Sequence, residues 1–281
     1  MTSLSQPSWA SHARALWAIT RKDWLYFWRY PLNALSLVFQ PIIWLAPVYF
    51  MGQVFSTNGQ AQGFAGFSGS SDYMSFIILG TALNNFILVV FWGMGYALKN
   101  DMDAGVLESN WLMPVPRLLL LTGHTFTSLV TTSLTSLAII LLAALFFGFH
   151  PTGSVWSAML TLLPMLFGLY GFGFAFAALV LLLRDANTLV DVGSFLVQSL
   201  SGSNFPVTAL PRWLLPISLA LPLTYGFDAV RGWLLKTQTL LPIETEIMIL
   251  IAFMVVMLVF GVWAFRSLER HVRQTGTLGQ H

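Results

Sequence analysis

Few residues of this 281-residue chain are equipped for chemistry, and they are unevenly placed. Cysteine is absent, so neither a thiolate metal site nor a disulfide framework is available, and the redox compartment is left open. His124 and His150 are too distant in sequence to form a helical metal pair. Each adjoins the boundary of an apolar stretch, where a histidine reads as a solvated or hydrogen-bonded flank. No G-x-x-x-x-G-K-[ST] phosphate loop occurs, nor H-E-x-x-H, G-x-S-x-G or G-x-G-x-x-G. ATP hydrolysis by this chain is therefore not expected. The acids that remain are concentrated in DMDAGVLESNWLMPVPR, residues 101–117, which holds Asp101, Asp103 and Glu108. Asp191 stands alone in an apolar stretch, and Asp228 and Arg231 are three apart, a spacing that predicts an ion pair on one helix face.

The surrounding chain is 56% hydrophobic and only 9% charged, which identifies an integral membrane protein. No Asp, Glu, Lys or Arg occurs in residues 31–71, 73–98, 118–183 or 247–265. A crossing takes about 20 residues at 1.5 Å each, so the third run must cross twice, turning at His150-Pro151-Thr152-Gly153-Ser154. A stretch at 187–204, interrupted only by Asp191, supplies a further span. The expected fold is an all-α membrane protein with six transmembrane helices, at roughly 32–54, 74–98, 118–148, 155–183, 187–204 and 246–265. The first run begins about thirty residues in and lacks an Ala-x-Ala-like cleavage site, so it reads as a retained span.

Basic residues orient this bundle, because Lys and Arg near span ends stay cytoplasmic. In the six-span arrangement Arg14, Arg21, Lys22, Arg29, Lys99, Arg117, Arg184, Arg266, Arg270 and Arg273 all fall inside. Arg212, Arg231 and Lys236 fall outside, in one long segment. Both termini are accordingly expected in the cytoplasm, with residues 266–281 as a tail. Residues 1–31 are expected to form an interfacial helix, since Trp17, Trp24, Phe27 and Trp28 recur at helical spacing beside a basic face. A seventh crossing at 213–235 would bury Pro216, Pro222, Asp228 and Arg231 at membrane depth, so residues 205–245 are expected as an outer re-entrant or interfacial helical hairpin.

On this arrangement residues 101–117 connect spans two and three on the cytoplasmic side. Asp101 and Asp103 suit the positive end of a short helix, Asp101 and Glu108 share a face, and Pro114 stops it. So short an amphipathic helix is marginal alone and calls for something to pack on. Asp191 lies near the cytoplasmic end of span five. It could line a substrate path or relay protons, although water or Arg184 is the simpler partner.

Two motifs give the chain a resemblance to the permease subunits of ABC type-2 exporters. Gly105, Val106, Leu107, Glu108, Pro114, Arg117 and Gly123 are similar to the family's G-T-L-E…P…basic…G loop, with Val106 in place of Thr and Asn110-Trp111 where Leu is commoner. The second is SGSNFPVTALPRWLLPISLALPLTYGFDAVRG, in which Ser201, Gly202, Phe205, Pro206, Leu210, Pro211, Pro222, Thr224, Tyr225, Asp228 and Arg231 match. The resemblance implies a permease in the plasma (inner) membrane, dimeric with an identical or related permease. It implies separate ATP-binding subunits that carry ATP and Mg, no cofactor on this chain, and a drug, antibiotic, lipid or lipid-linked glycan as cargo. Residues 101–117, with Trp111 among them, would then be the coupling helix, and Phe205, Pro206, Pro211, Pro222, Tyr225, Asp228 and Arg231 would belong to an outer gate. Membrane lipids are the remaining partner, and a net charge of +2 is too small to suggest nucleic acid. The alternatives are an ion-coupled transporter or channel using Asp191, opposed by the lack of an inverted repeat, and an intramembrane enzyme, for which no convergent nucleophile and base are found.

Overall fold

A computed structural model describes residues 9–55, 62–95, 117–182 and 186–275. All regular structure among them is helical, as a chain in hydrocarbon requires when its backbone must satisfy itself. Helix α1 (Trp9–Arg29) precedes α2 (Pro31–Phe55), and Pro31 at the start of α2 lacks an N–H that the first turn would leave unpaired. After the short α3 (Gln62–Ser68) comes α4 (Tyr73–Leu88), capped by Asp72, whose Oδ1 accepts from the Ser75 N–H at 3.0 Å. The same helix widens into a π-helical stretch over Val89–Gly95. Helices α5 (Arg117–Phe147) and α6 (Val155–Leu182) are joined by the expected turn, with Gly148 in a left-handed conformation (φ 68°), although α5 packs mainly on α1, α2 and α4 rather than on α6.

Helix α7 (Ala186–Leu200) is followed by a 3₁₀ turn at Val207–Ala209, the short α8 (Leu215–Leu219), α9 (Pro222–Leu235) and the long α10 (Ile243–Thr275). Residues 213–235 are therefore not one crossing: the helix breaks before Pro222, whose ring suits an N-terminal turn. Lys236 ends α9 in a left-handed conformation (φ 55°), returning its N–H to Gly232 O at 3.1 Å.

Among the described residues five helices are long and apolar enough to cross a membrane, through Ala34–Gly52, Tyr73–Met94, Leu119–Phe147, Val155–Val180 and Ile243–Arg270. The stretch expected as a further span forms α7, whose 15 residues rise only ~22 Å against a hydrocarbon thickness of about 30 Å. Helix α10 continues past the expected end of the last span, so residues 266–275 are helical.

The tightest seam lies between α6 and α10. A Cβ built at Gly168 would sit 2.4 Å from the Phe253 ring, and one at Gly171 would sit 2.6 Å from the Met257 carbonyl carbon. Across the seam, a Cβ at Gly261 would fall 2.1 Å from Gly171 O. Small residues here let backbones touch, which is how helices associate where lipid supplies no hydrophobic drive. The larger core surrounds this seam, with Phe91, Met165, Leu169, Phe227, Leu250 and Phe265 fully buried. A smaller core around Ile78, Leu79, Leu45 and Phe149 ties α4 to α2 and α5.

Candidate functional site

Packing is uneven around a large cavity between α2, α4 and α7. Its volume is about 1090 Å³, at the upper end of the usual ligand-site range of roughly 300–1,000 Å³. Helix α2 contributes Gln40, Pro41 and Trp44, α4 contributes Thr81, Asn84 and Asn85, its π-helical continuation contributes Trp92, and α7 contributes Phe195 and Gln198. The π-helical stretch places Val89 and Gly93 on the same wall, while Phe91 and Met94 point into the core. One extra residue in the turn thus serves both faces. Pro41 and Pro47 remove two N–H donors from α2, an irregularity that membrane helices accept where they line a cavity or pack on protein.

The two neighbouring carboxamides differ in their partners. Asn85 Nδ2 donates to Thr135 Oγ1 at 3.1 Å and reaches Ser136 Oγ at 3.5 Å, and Ser136 Oγ donates on to Ala82 O at 2.9 Å. Asn85 therefore binds α4 to α5. Asn84 is only 5% exposed and its Oδ1 has no partner, which leaves an acceptor whose desolvation costs about 1–3 kcal/mol when unmet.

Behind α7 lies a second groove, of about 850 Å³, lined by Phe172, Phe176, Leu196, Met257, Phe260 and Trp263 among others. Its walls are almost wholly apolar. Helix α7 thus separates an apolar groove from a mixed cavity.

The hairpin end of the bundle is fastened by Arg231, which is 2% exposed. Its Nη1 donates to Gly202 O at 2.6 Å, its Nη2 to Ser203 O at 2.5 Å and its Nε to Phe76 O at 3.3 Å. The guanidinium lies 3.5 Å over the Phe76 ring, a cation–π arrangement. Gly80 makes room: a Cβ there would fall 1.7 Å from Ser203 O and 2.5 Å from Arg231 Nη2. One side chain on α9 thereby joins the start of α4 to the end of α7.

The expected ion pair between Asp228 and Arg231 is not formed. Arg231 turns to backbone carbonyls, and Asp228 Oδ2 instead accepts from the Leu240 N–H at 2.5 Å. The reason is the demand of the chain turns: carbonyls at 202 and 203 and the amide at 240 are otherwise unmet where water is scarce. Glu246, fully buried, serves the same loop by accepting from the Leu241 N–H at 3.1 Å.

The other residues singled out in the sequence are spread around this knot. Pro206 is buried, Phe205 and Pro222 are half-buried, and Pro211 is exposed. Tyr225 donates its hydroxyl to Leu219 O at 2.8 Å, bracing α9 against α8. A cavity of about 30 Å³ among Thr224, Asp228, Arg231 and Thr237 is large enough for a water molecule. Asp191 is exposed on α7, on the face that carries Phe195 and Gln198 four and seven residues on. Asp101, Asp103, Gly105, Leu107, Glu108, Trp111 and Pro114 lie outside the described residues, and Arg117 opens α5.

At the opposite end, α1 packs on α5. His124 Nδ1 is 2.5 Å from Asp23 Oδ2, and Lys22 Nζ is 3.3 Å from Asp23 Oδ1. Burial pushes the Asp23 carboxyl up, but His124 and Lys22 outweigh it and hold its pKa below the ordinary value. His150 Nδ1 contacts Gly148 O at 2.7 Å. Among the described residues no three of His, Asp and Glu converge in a way that would hold a metal.

Apolar helices around a mixed cavity define a multi-pass membrane protein with an opening large enough for a solute. The sequence pattern of the ABC-2 type transporter family matches residues 14–235, and the chain belongs to that family. It is a membrane subunit of an ABC transporter, a class of chain that is generally not itself an ATPase. Among similar proteins is the "probable doxorubicin resistance ABC transporter permease protein DrrC" of Mycobacterium tuberculosis, in strains CDC 1551 / Oshkosh and ATCC 25618 / H37Rv. Each is 28% identical over 182 residues, a match spanning 62% of this chain and 62% of the relative.

The cavity carboxamides belong to no motif in the sequence. Their one signal is the pair Asn84-Asn85, since adjacent amides within an uncharged 26-residue run are costly toward lipid.

Proposed function

We propose that the chain is the permease of an ATP-driven exporter, working as a dimer with an identical or related permease and coupled to separate ATP-binding subunits. The observation that carries this reading is the 1090 Å³ cavity between α2, α4 and α7 in a chain of this family. In this reading α7, short as it is, counts as the sixth crossing, and both termini and residues 101–117 lie on the cytoplasmic side of the inner membrane. The hairpin of α8 and α9 is re-entrant from the outer side. ATP and Mg act on the partner, whose closure reaches the spans through a coupling helix with Glu108 on its docking face. An apolar helix face with an acidic edge fits a groove that offers basic residues. The relatives' name favours a drug-like cargo over a glycan.

Co-expression with a candidate ATP-binding subunit tests the reading. A stable complex with cargo-stimulated ATP turnover is expected, and Glu108→Arg should release the ATPase while leaving the permease's melting temperature unchanged. Failure of every candidate ATPase to co-purify, or full co-purification and transport by Glu108→Arg, would overturn it.

A further inference from the structure

The apolar groove behind α7 has aromatic walls. Phe260 and Trp263 on α10, with ring centroids 5.8 Å apart, and Phe172 and Phe176 on α6, also 5.8 Å apart, line a slot of about 850 Å³. Leu196 on α7 closes its third side, and Gly193 brings α7 close, since a Cβ there would sit 2.9 Å from the Phe91 ring at the floor. Along α10 the lining runs from Met257 to Leu268, a rise of ~16 Å, which is one leaflet of a hydrocarbon layer about 30 Å thick. It begins at the seam, where a Cβ on Gly171 would meet the Met257 carbonyl carbon. A spanning helix from a second copy would run the full thickness, whereas a lipid tail ends at mid-membrane. The other end of the groove is polar. Ser267 lines it there, and Arg270 lies exposed three residues on, along the edge of α10 that carries Trp263 and Ser267. The apolar span itself ends at Arg270, which puts this guanidinium at headgroup depth above a slot shaped for a tail. Arg266, also exposed, adds positive charge to the same turn, and Glu269 is half-buried on another face. Basic side chains at that depth attract negatively charged lipid.

We propose that this groove is a site for one anionic phospholipid of the leaflet at the Arg270 end, with an acyl chain between α6, α7 and α10 and its phosphate on Arg270 and Ser267. The lipid is held as part of the fold and not as cargo, backing α7 from the side opposite the cavity. Charge selects the headgroup: phosphatidylcholine offsets its phosphate with a cation of its own, whereas phosphatidylglycerol keeps a net negative charge for Arg270. The inference needs only that the chain spans a membrane, and it stands whether or not an ATPase couples to it.

Native mass spectrometry of the full chain, delipidated in detergent and titrated with one lipid at a time, tests it. The probes are palmitoyl-oleoyl phosphatidylglycerol and the phosphatidylcholine with the same two chains. One phosphatidylglycerol per chain should be retained at collision energies that strip the rest, and it should bind about fivefold more tightly than phosphatidylcholine, the factor one basic residue supplies at a charged lipid surface. Arg270→Gln should remove that preference and leave phosphatidylcholine binding as it was. Ala264→Trp, which fills the groove, should remove the tight site for both lipids. Glycerol 3-phosphate, which carries the phosphate without a tail, should not displace the lipid. Equal affinity of the two lipids for wild type, an undiminished preference in Arg270→Gln, a tight site that survives in Ala264→Trp, or displacement by glycerol 3-phosphate would overturn the proposal. So would a dimer that Ala264→Trp splits into monomers, which would assign the groove to a second copy of the chain. If the melting temperature shows Ala264→Trp to be misfolded, the comparison of Arg270→Gln with wild type decides.

Discussion

Replacing Arg231 by methionine keeps much of the side chain's length and removes its charge and all its donors. Three hydrogen bonds are lost, at 2.5, 2.6 and 3.3 Å, together with the contact over Phe76. Phe76 O lies within α4 and retains helical partners, so the cost falls mainly on Gly202 O and Ser203 O. A buried acceptor stripped of a charged donor costs about 1.5–3 kcal/mol, and burial of the apolar replacement returns part of that. The net loss is about 3 kcal/mol, which for a chain of this size lowers the melting temperature by roughly 6–12 °C. Thermal unfolding followed by circular dichroism in one detergent reads the shift directly. Gly80→Ala drives a methyl into the same place, 1.7 Å from Ser203 O, and should cost a comparable amount. Combined with Arg231→Met the loss should be less than additive, because both changes dislodge the 202–203 turn. An Arg231→Met protein melting within 2 °C of wild type, or strict additivity of the pair, would refute the role given to this arginine.

Two further outcomes concern the seam and the opposite end of the bundle. Gly171→Val should lower the melting temperature on the order of 5–10 °C by forcing α6 off α10, whereas Ala175→Val, facing the apolar groove, should be nearly silent. Asp23, held below its ordinary pKa, contributes stability that is complete above the unfolded carboxylate value and is lost as pH falls through the lowered folded value. Melting temperature measured from about pH 5 downward should therefore drop more steeply for wild type than for Asp23→Asn, and parallel curves would show that the contact with His124 contributes nothing.

Much of this architecture is legible in the sequence because membrane helices announce themselves by length and by the absence of charge. Proline and glycine mark the breaks: Gly148 to Ser154 turns the α5–α6 hairpin, and Pro222 divides what hydropathy alone presents as a crossing. Gly168 and Gly171 on α6 bring its backbone up against α10. Asp228 and Arg231 misled for a physical reason. Spacing along one helix describes which side chains are neighbours, not which of them faces an unmet carbonyl on another segment. The carbonyls at Gly202 and Ser203 lie 29 and 28 residues away, and no local pattern reveals them. The cavity is illegible for the same reason: Gln40, Asn84 and Gln198 are isolated polar residues in three different runs, and only their packing makes them one surface.

That surface has walls of unequal stiffness. Of the most apolar stretch of α4, 72% is buried, against 6% for α2. The α4 wall is held from behind by Asn85 to Thr135, at its start by Arg231, and beside α7 by the 202–203 turn. Helix α2 carries two internal prolines and turns Ile43 and Phe50 largely outward. Local stability follows the density of buried contacts, so displacement of α2 breaks few interactions, while displacement of α4 breaks the core. The tyrosine, prolines and arginine of the hairpin motif are accordingly fasteners of the fixed wall. Tyr225 braces α8 and Arg231 rivets α4 to the end of α7, so the stiffness of this wall comes from the hairpin residues themselves.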